Sequence, residues 1–190
     1  MGLFDVLTGK RKIKQPAPDR LFAMSTAGVT LDTELGLHSA GRAAIVFQPL
    51  GTADFDRIVA DMEELVRSTG DETGTAVEKR DDPFGYRWMV LADPDFEDLV
   101  VGANAVSTEL QAGGYGDRLL CAVFAFRDAQ DKPVYWIYNY KRGAFYPFAP
   151  AGGEQQRDAE RELRLQAQIG AELPVEAELE RWFPLWGIPI

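Results

Sequence analysis

The stretch from Thr52 to Ser68 constrains the fold more than any other. Phe55, Ile58, Val59, Met62, Leu65 and Val66 recur there at intervals of three and four, the spacing that lines one side of an α-helix with apolar groups. A helix striped in this way must pack its apolar side against something. The candidates flank it. Ala43 to Gln48 (AAIVFQ) is an apolar run closed by Pro49 and Gly51. Thr75 to Arg80 and Tyr86 to Ala92 follow the helix, with the turn residues Asp81, Asp82 and Pro83 between them. These three runs predict strands.

The same pattern then recurs. Phe96, Leu99, Val100, Ala103, Val106 and Leu110 mark a second helix over residues 95–112, stopped by Gly113 and Gly114. Leu119 to Phe126 and Val134 to Tyr140 form a strand pair around the polar turn from Asp128 to Lys132. The fold class is therefore α+β: a largely antiparallel sheet in the ferredoxin-like order βαββαββ, one strand longer than the parent motif, with its helices on one face. The two halves share a pattern and no sequence identity. Upstream, Asp19 is placed to cap a short helix holding Leu21, Phe22 and Met24. Residues 26–42 are weakly patterned, with one strand expected around Val29 to Leu31. Downstream, the charged run from Glu154 to Ile169 and the shorter Pro174 to Phe183 predict C-terminal helices. Trp182, Phe183, Leu185 and Trp186 then form an aromatic tail that water disfavours.

A chain of 190 residues suits one domain, and 46% hydrophobic against 26% charged residues is enough to build a core without disulfide or metal. The expected division is an amphipathic and basic segment with its linker over 1–18, then a single α+β domain over 19–190. The formal net charge of −10 argues against a nucleic-acid surface, which needs clustered Lys and Arg. One cysteine permits no internal disulfide and fits a reducing compartment. No run approaches the ~20 apolar residues of a membrane span. The apolar start precedes its basic residues, the reverse of a secretory signal. The expected location is the cytoplasm.

The residues that carry catalysis are sparse. His38 is the only histidine, and Cys121 would have to be its nucleophilic partner. Cys121 lies among Leu119, Leu120, Ala122 and Val123, where a thiol behaves as a small buried hydrophobe. Asp93, Asp95, Glu97 and Asp98 fail the spacing of a calcium loop, because Asp98 stands where its glycine belongs and Asn104 where its glutamate belongs. They suit the first turn of a helix instead. Gly113, Gly114 and Gly116 follow a helix and precede a strand, the wrong order for a phosphate loop. No catalytic residue, metal site or cofactor is expected.

Two surfaces remain as contact candidates. Leu3, Phe4, Val6 and Leu7 precede the basic residues Lys10, Arg11, Lys12 and Lys14. That arrangement suits a peripheral membrane contact or a partner's groove, and equally a staple folded back on its own domain. The second is YKRGAFYPFAP, from Tyr140 to Pro150. It sets Lys141 and Arg142 beside Phe145, Tyr146 and Phe148 as a partner or ligand patch, to which Trp182 and Trp186 add aromatic surface. Core packing at a strand end explains the same aromatics.

The opening MGLFDVL, the central YKRGAFYPFAP followed by Gly152, Gly153 and Glu154, and the closing RWFPLWGIP together resemble the PspA-associated proteins of the PspAB type. The resemblance extends from Met1 to about Pro189. It implies association with the phage-shock protein PspA, a membrane-remodelling coiled-coil protein of envelope-stress responses. It implies a non-enzymatic accessory or adaptor role and carries no catalytic residues. The alternative from the residues alone is a small-ligand-binding or enzymatic α+β domain with a pocket on the open sheet face.

Overall fold

The computed structural model describes residues 18–190. The expected contact residues Leu3, Phe4, Val6, Leu7, Lys10, Arg11, Lys12 and Lys14 lie outside the described residues. A 3-10 turn over Pro18–Phe22 leads into α1 (Ala23–Thr33), then β1 (His38–Phe47), α2 (Ala53–Thr73), β2 (Ala76–Asp81) and β3 (Arg87–Ala92). After these come α3 (Phe96–Ala112), β4 (Leu119–Arg127), β5 (Pro133–Asn139), β6 (Ala144–Phe148) and α4 (Ala159–Ile169).

The six strands form one antiparallel sheet in the order β2-β3-β1-β4-β5-β6. α2 carries the chain from β1 past β3 to β2, and α3 carries it from β3 past β1 to β4, giving two interleaved split β-α-β crossings. β5 and β6 widen the sheet beyond β4, so it is one strand wider than the sequence predicts.

The two stripes that predict the helices are the ones that bury. Phe55, Val59, Met62 and Val66 of α2 and Leu99, Val100, Ala103, Val106 and Leu110 of α3 share one core with Ile45, Phe47, Met89, Leu91, Phe124 and Trp136 of the sheet. α1 and α4 contribute Met24, Leu31, Leu165 and Ile169 to the same core, so all four helices cover one face. Leu65 departs from expectation at 41% exposed. It lies seven residues after the half-buried Ile58, on the flank of the stripe that Phe55, Val59, Met62 and Val66 bury. The acidic cluster caps α3 as its composition implies: Asp95 accepts from the backbone N–H of Glu97, and buried Asp93 accepts from that of Asp95, each at 2.8 Å.

Three other expectations are corrected. Val29 to Leu31 belongs to α1 rather than to a strand, because Met24, Ala27, Gly28 and Leu31 bury one helical side while Val29 faces outward. The helix expected from Glu154 begins only at Ala159, behind the N-cap Asp158. Pro174 to Phe183 holds one 3-10 turn over Leu179–Arg181, since its first residues run alongside β6 instead. There Phe145 donates its N–H to the Pro174 carbonyl and accepts from the N–H of Glu176, both at 2.8 Å.

The opposite face of the sheet is also apolar. Ala44, Val46, Trp88, Val90, Cys121, Val123, Ile137, Tyr146 and Phe148 line it, and among the described residues none of α1 to α4 covers it. The cover is the C-terminal strap. Trp182 is buried against that face, with Leu185, Trp186, Ile188 and Ile190 packed beside it. Tyr146 Oη donates to the Phe183 carbonyl (3.0 Å), Arg80 to that of Pro189 (2.9 Å) and Tyr135 Oη to that of Ile190 (3.3 Å), so the strap is tied at β6, β2 and β5.

Candidate functional site

Strand alternation divides the aromatic patch that the sequence presents as a unit. Successive side chains of β6 point to opposite faces. Phe145 therefore enters the helix-side core, while Tyr146 and Phe148 reach the strap side. Trp182 stacks on Tyr146 with ring centroids 6.4 Å apart, and Trp186 meets Phe148 edge-on at 5.1 Å. Burial pushes the Tyr146 phenol well above its ordinary pKa, so it stays neutral as a hydrogen-bond donor. Arg142 also leaves the patch. Its Nε lies 2.8 Å from Glu176 Oε2, which commits the guanidinium to the strand-like segment beside β6.

The strap does not seal its face completely. A cavity of about 420 Å³ remains between the strap, the β2–β3 turn and the β5–β6 turn. Its floor is Val46, Leu120 and Cys121, and Trp88, Tyr146 and Trp186 form its walls. Tyr86, Phe84 and Phe183 stand at its rim, with Phe84 78% and Phe183 59% exposed. Gln155, also at the rim, holds a left-handed backbone (φ 51°), which is uncommon outside glycine.

Two side-chain-built turns position the cavity's polar groups. In the first, Asp82 Oδ1 accepts from the N–H groups of Phe84 (2.8 Å) and Tyr86 (2.9 Å), and its Oδ2 accepts from Trp88 Nε1 (2.9 Å). One carboxylate thereby fixes three aromatic residues. In the second, Asn139 Oδ1 accepts from the N–H groups of Lys141 (3.1 Å) and Arg142 (3.3 Å), leaving the amide nitrogen as a donor. Lys141 is exposed at the cavity edge, and its ammonium has no ion pair among the described residues.

Cys121 is a buried floor residue, and burial raises its thiol to about 12. It lies six residues along β4 from Arg127, the register partner of His38, which separates the two backbones by roughly 20 Å. Exposed His38 pairs with Asp32 beside a shallow groove at the start of α3. Cysteine and histidine therefore do not meet. Among the described residues no group of three or more His, Cys, Asp or Glu side chains gathers to hold a metal.

The sequence therefore indicates three of the cavity's residues, Lys141, Tyr146 and Trp186. It reads Asp82 only as a turn residue and Phe183 only as part of an aromatic tail that water disfavours, although Phe183 is exposed, and it singles out neither Phe84 nor Asn139. The available signal was Phe84 itself, a large aromatic set between Pro83 and Gly85, where a turn leaves it little to pack against.

Compared with known families, the chain matches PspAB, PspA associated protein B, over residues 1–190. The chain belongs to the PspAB family. No curated protein and no solved structure matches it. Among the described residues of this PspAB chain, no helix is long and apolar enough to cross a membrane. The exposed apolar surface at the cavity rim belongs to the β2–β3 turn and the strap.

Proposed function

We propose that this PspAB protein is a non-enzymatic accessory or adaptor of the PspA envelope-stress (phage-shock) system. In this reading it works in the cytoplasm at the inner face of the membrane. The observation that carries the reading is the match to PspA associated protein B along the whole chain. The partner is a PspA-like coiled-coil protein, and the N-terminal residues supply a peripheral membrane contact. Leu3, Phe4, Val6 and Leu7 offer the apolar part, and Lys10, Arg11, Lys12 and Lys14 the attraction to anionic lipid.

The test compares the full chain with a deletion of residues 1–14, with glutamine at the four basic positions, and with Leu3→Ser/Phe4→Ser. Each is assayed for binding to anionic vesicles and to PspA. The deletion is expected to leave the domain folded and weaken both associations. The glutamine variant is expected to weaken vesicle binding as added salt does. The serine variant is expected to act even at low salt, because it removes apolar contact. Unchanged vesicle and PspA binding in all three would remove the N-terminal segment from the reading.

A second reading, a small-ligand-binding domain, is favoured by one observation: the aromatic-walled cavity on the strap-covered face. Its volume lies within the range of small-molecule sites.

A further inference from the structure

Resting on that second reading, we infer that the cavity binds a small amphipathic monocarboxylate, an apolar chain or ring system bearing one carboxylate. The walls determine the body of the ligand. Trp88, Tyr146 and Trp186, over a floor of Val46, Leu120 and Cys121, present rings and aliphatic groups with little that must be hydrogen-bonded. The edge determines the charge. Both oxygens of Asp82 are occupied, Oδ1 by two backbone N–H donors of its own turn and Oδ2 by the indole N–H of Trp88 in β3. That carboxylate is thus already committed and offers little to a cationic ligand. Lys141 has a full positive charge and no acceptor among the described residues. The Asn139 amide nitrogen adds a neutral donor to the same cavity, because its oxygen is taken by the turn.

One ammonium and one amide donor match the oxygens of a single carboxylate. A phosphate dianion would lack its second cation, since Arg142 is engaged with Glu176. The chain's net charge of −10 provides no general attraction for anions, so recognition depends on Lys141 locally.

The protein carries its own reporters, Trp88 and Trp186 in the walls. Titration of the full chain with octanoate, octanol and octylamine, followed by tryptophan fluorescence and calorimetry, separates apolar contact from charge. Octanoate is expected to bind saturably, more tightly than octanol and about tenfold more tightly than the amine. Lys141→Gln is expected to weaken octanoate about tenfold and leave octanol unchanged. Phe84→Ser and Phe183→Ser are expected to weaken both, and their exposure keeps these changes out of the core. Amine binding equal to octanoate, or a Lys141→Gln variant that binds octanoate normally, overturns the carboxylate assignment while the cavity remains a ligand site. No saturable change with any of the three probes overturns both.

Discussion

The carboxylate of Glu162 holds Arg157 Nη2 at 2.6 Å, and Arg157 in turn donates from Nη1 to the Trp182 carbonyl at 2.7 Å. The other oxygen of Glu162 accepts from the Ala149 N–H (2.8 Å), and the guanidinium lies 5.7 Å from the Phe148 ring centre. One buried acid thus joins α4, the end of β6 and the start of the strap. Removing one partner of such a pair leaves a buried charge without compensation. Glu162→Gln is expected to cost about 3 kcal/mol in urea unfolding, the low end because Arg157 is a quarter exposed. A loss below about 0.5 kcal/mol, the ordinary surface range, would show the clamp to be idle.

Acid is expected to loosen the strap through Glu176. Burial pushes this carboxyl up, but the hydrogen bond from Arg142 and the N–H groups of Glu178 and Ala177 outweigh it and hold it below the ordinary 4.5. As pH falls, the unfolded chain takes the proton first. The contribution to stability is therefore complete above pH 4.5 and lost as pH falls below it through the folded value. Urea midpoints measured from pH 7 to pH 3 should fall in that lower window, and Arg142→Gln should flatten the fall. An unchanged slope in the variant would exclude this pair as the source.

Cys121 is expected to react slowly although it lines a cavity. With its thiol raised from 9.0 to about 12, the thiolate fraction at pH 8 is about a thousandfold lower than in the unfolded chain. Labelling of native protein by a small neutral thiol reagent should lag by a similar factor. Equal rates before and after unfolding would contradict the burial seen here.

How much of the molecule was legible depended on which residues alternate. α2 and α3 were readable because one side buries and the other meets water, so periodicity survives in the sequence. The acidic start of α3 was readable as a cap for the same local reason. Only the start of α1, at Met24, was readable, because farther on Ala27 and Gly28 are small and Thr26, Thr30 and Thr33 lower its helical appearance. β6 escaped notice because Phe145, Tyr146, Pro147 and Phe148 are all buried, so the strand shows no polar alternation. The cavity is formed by a turn, a second turn and a strap distant in sequence, and only their folding together defines it.

Gly28 is expected to resist substitution despite its helical position. A Cβ there would overlap the ring of Phe96, which is held between Phe124 (5.9 Å) and Phe126 (5.1 Å). Gly28→Ala gains about 1 kcal/mol of helix propensity, but overpacking against a confined ring typically costs about 1–3 kcal/mol. Thermal melting should show a net loss. A higher Tm would mean that Phe96 moves aside freely.

The far margin of the sheet carries a consequence for partners. Residues 145, 147 and 149 are those whose backbones face outward from β6. The first is bonded to Pro174 and Glu176, the second is a proline with no N–H to give, and the third donates to Glu162. Every outward amide at that border is thus occupied or missing. The opposite border, β2, shows Glu78, Lys79, Arg80 and Asp81 to solvent, charges that discourage another strand from lying alongside. Recruitment by strand addition is closed at one border and opposed at the other. A protein that docks on this domain is thereby steered toward recognising side chains, and joining copies sheet to sheet is disfavoured.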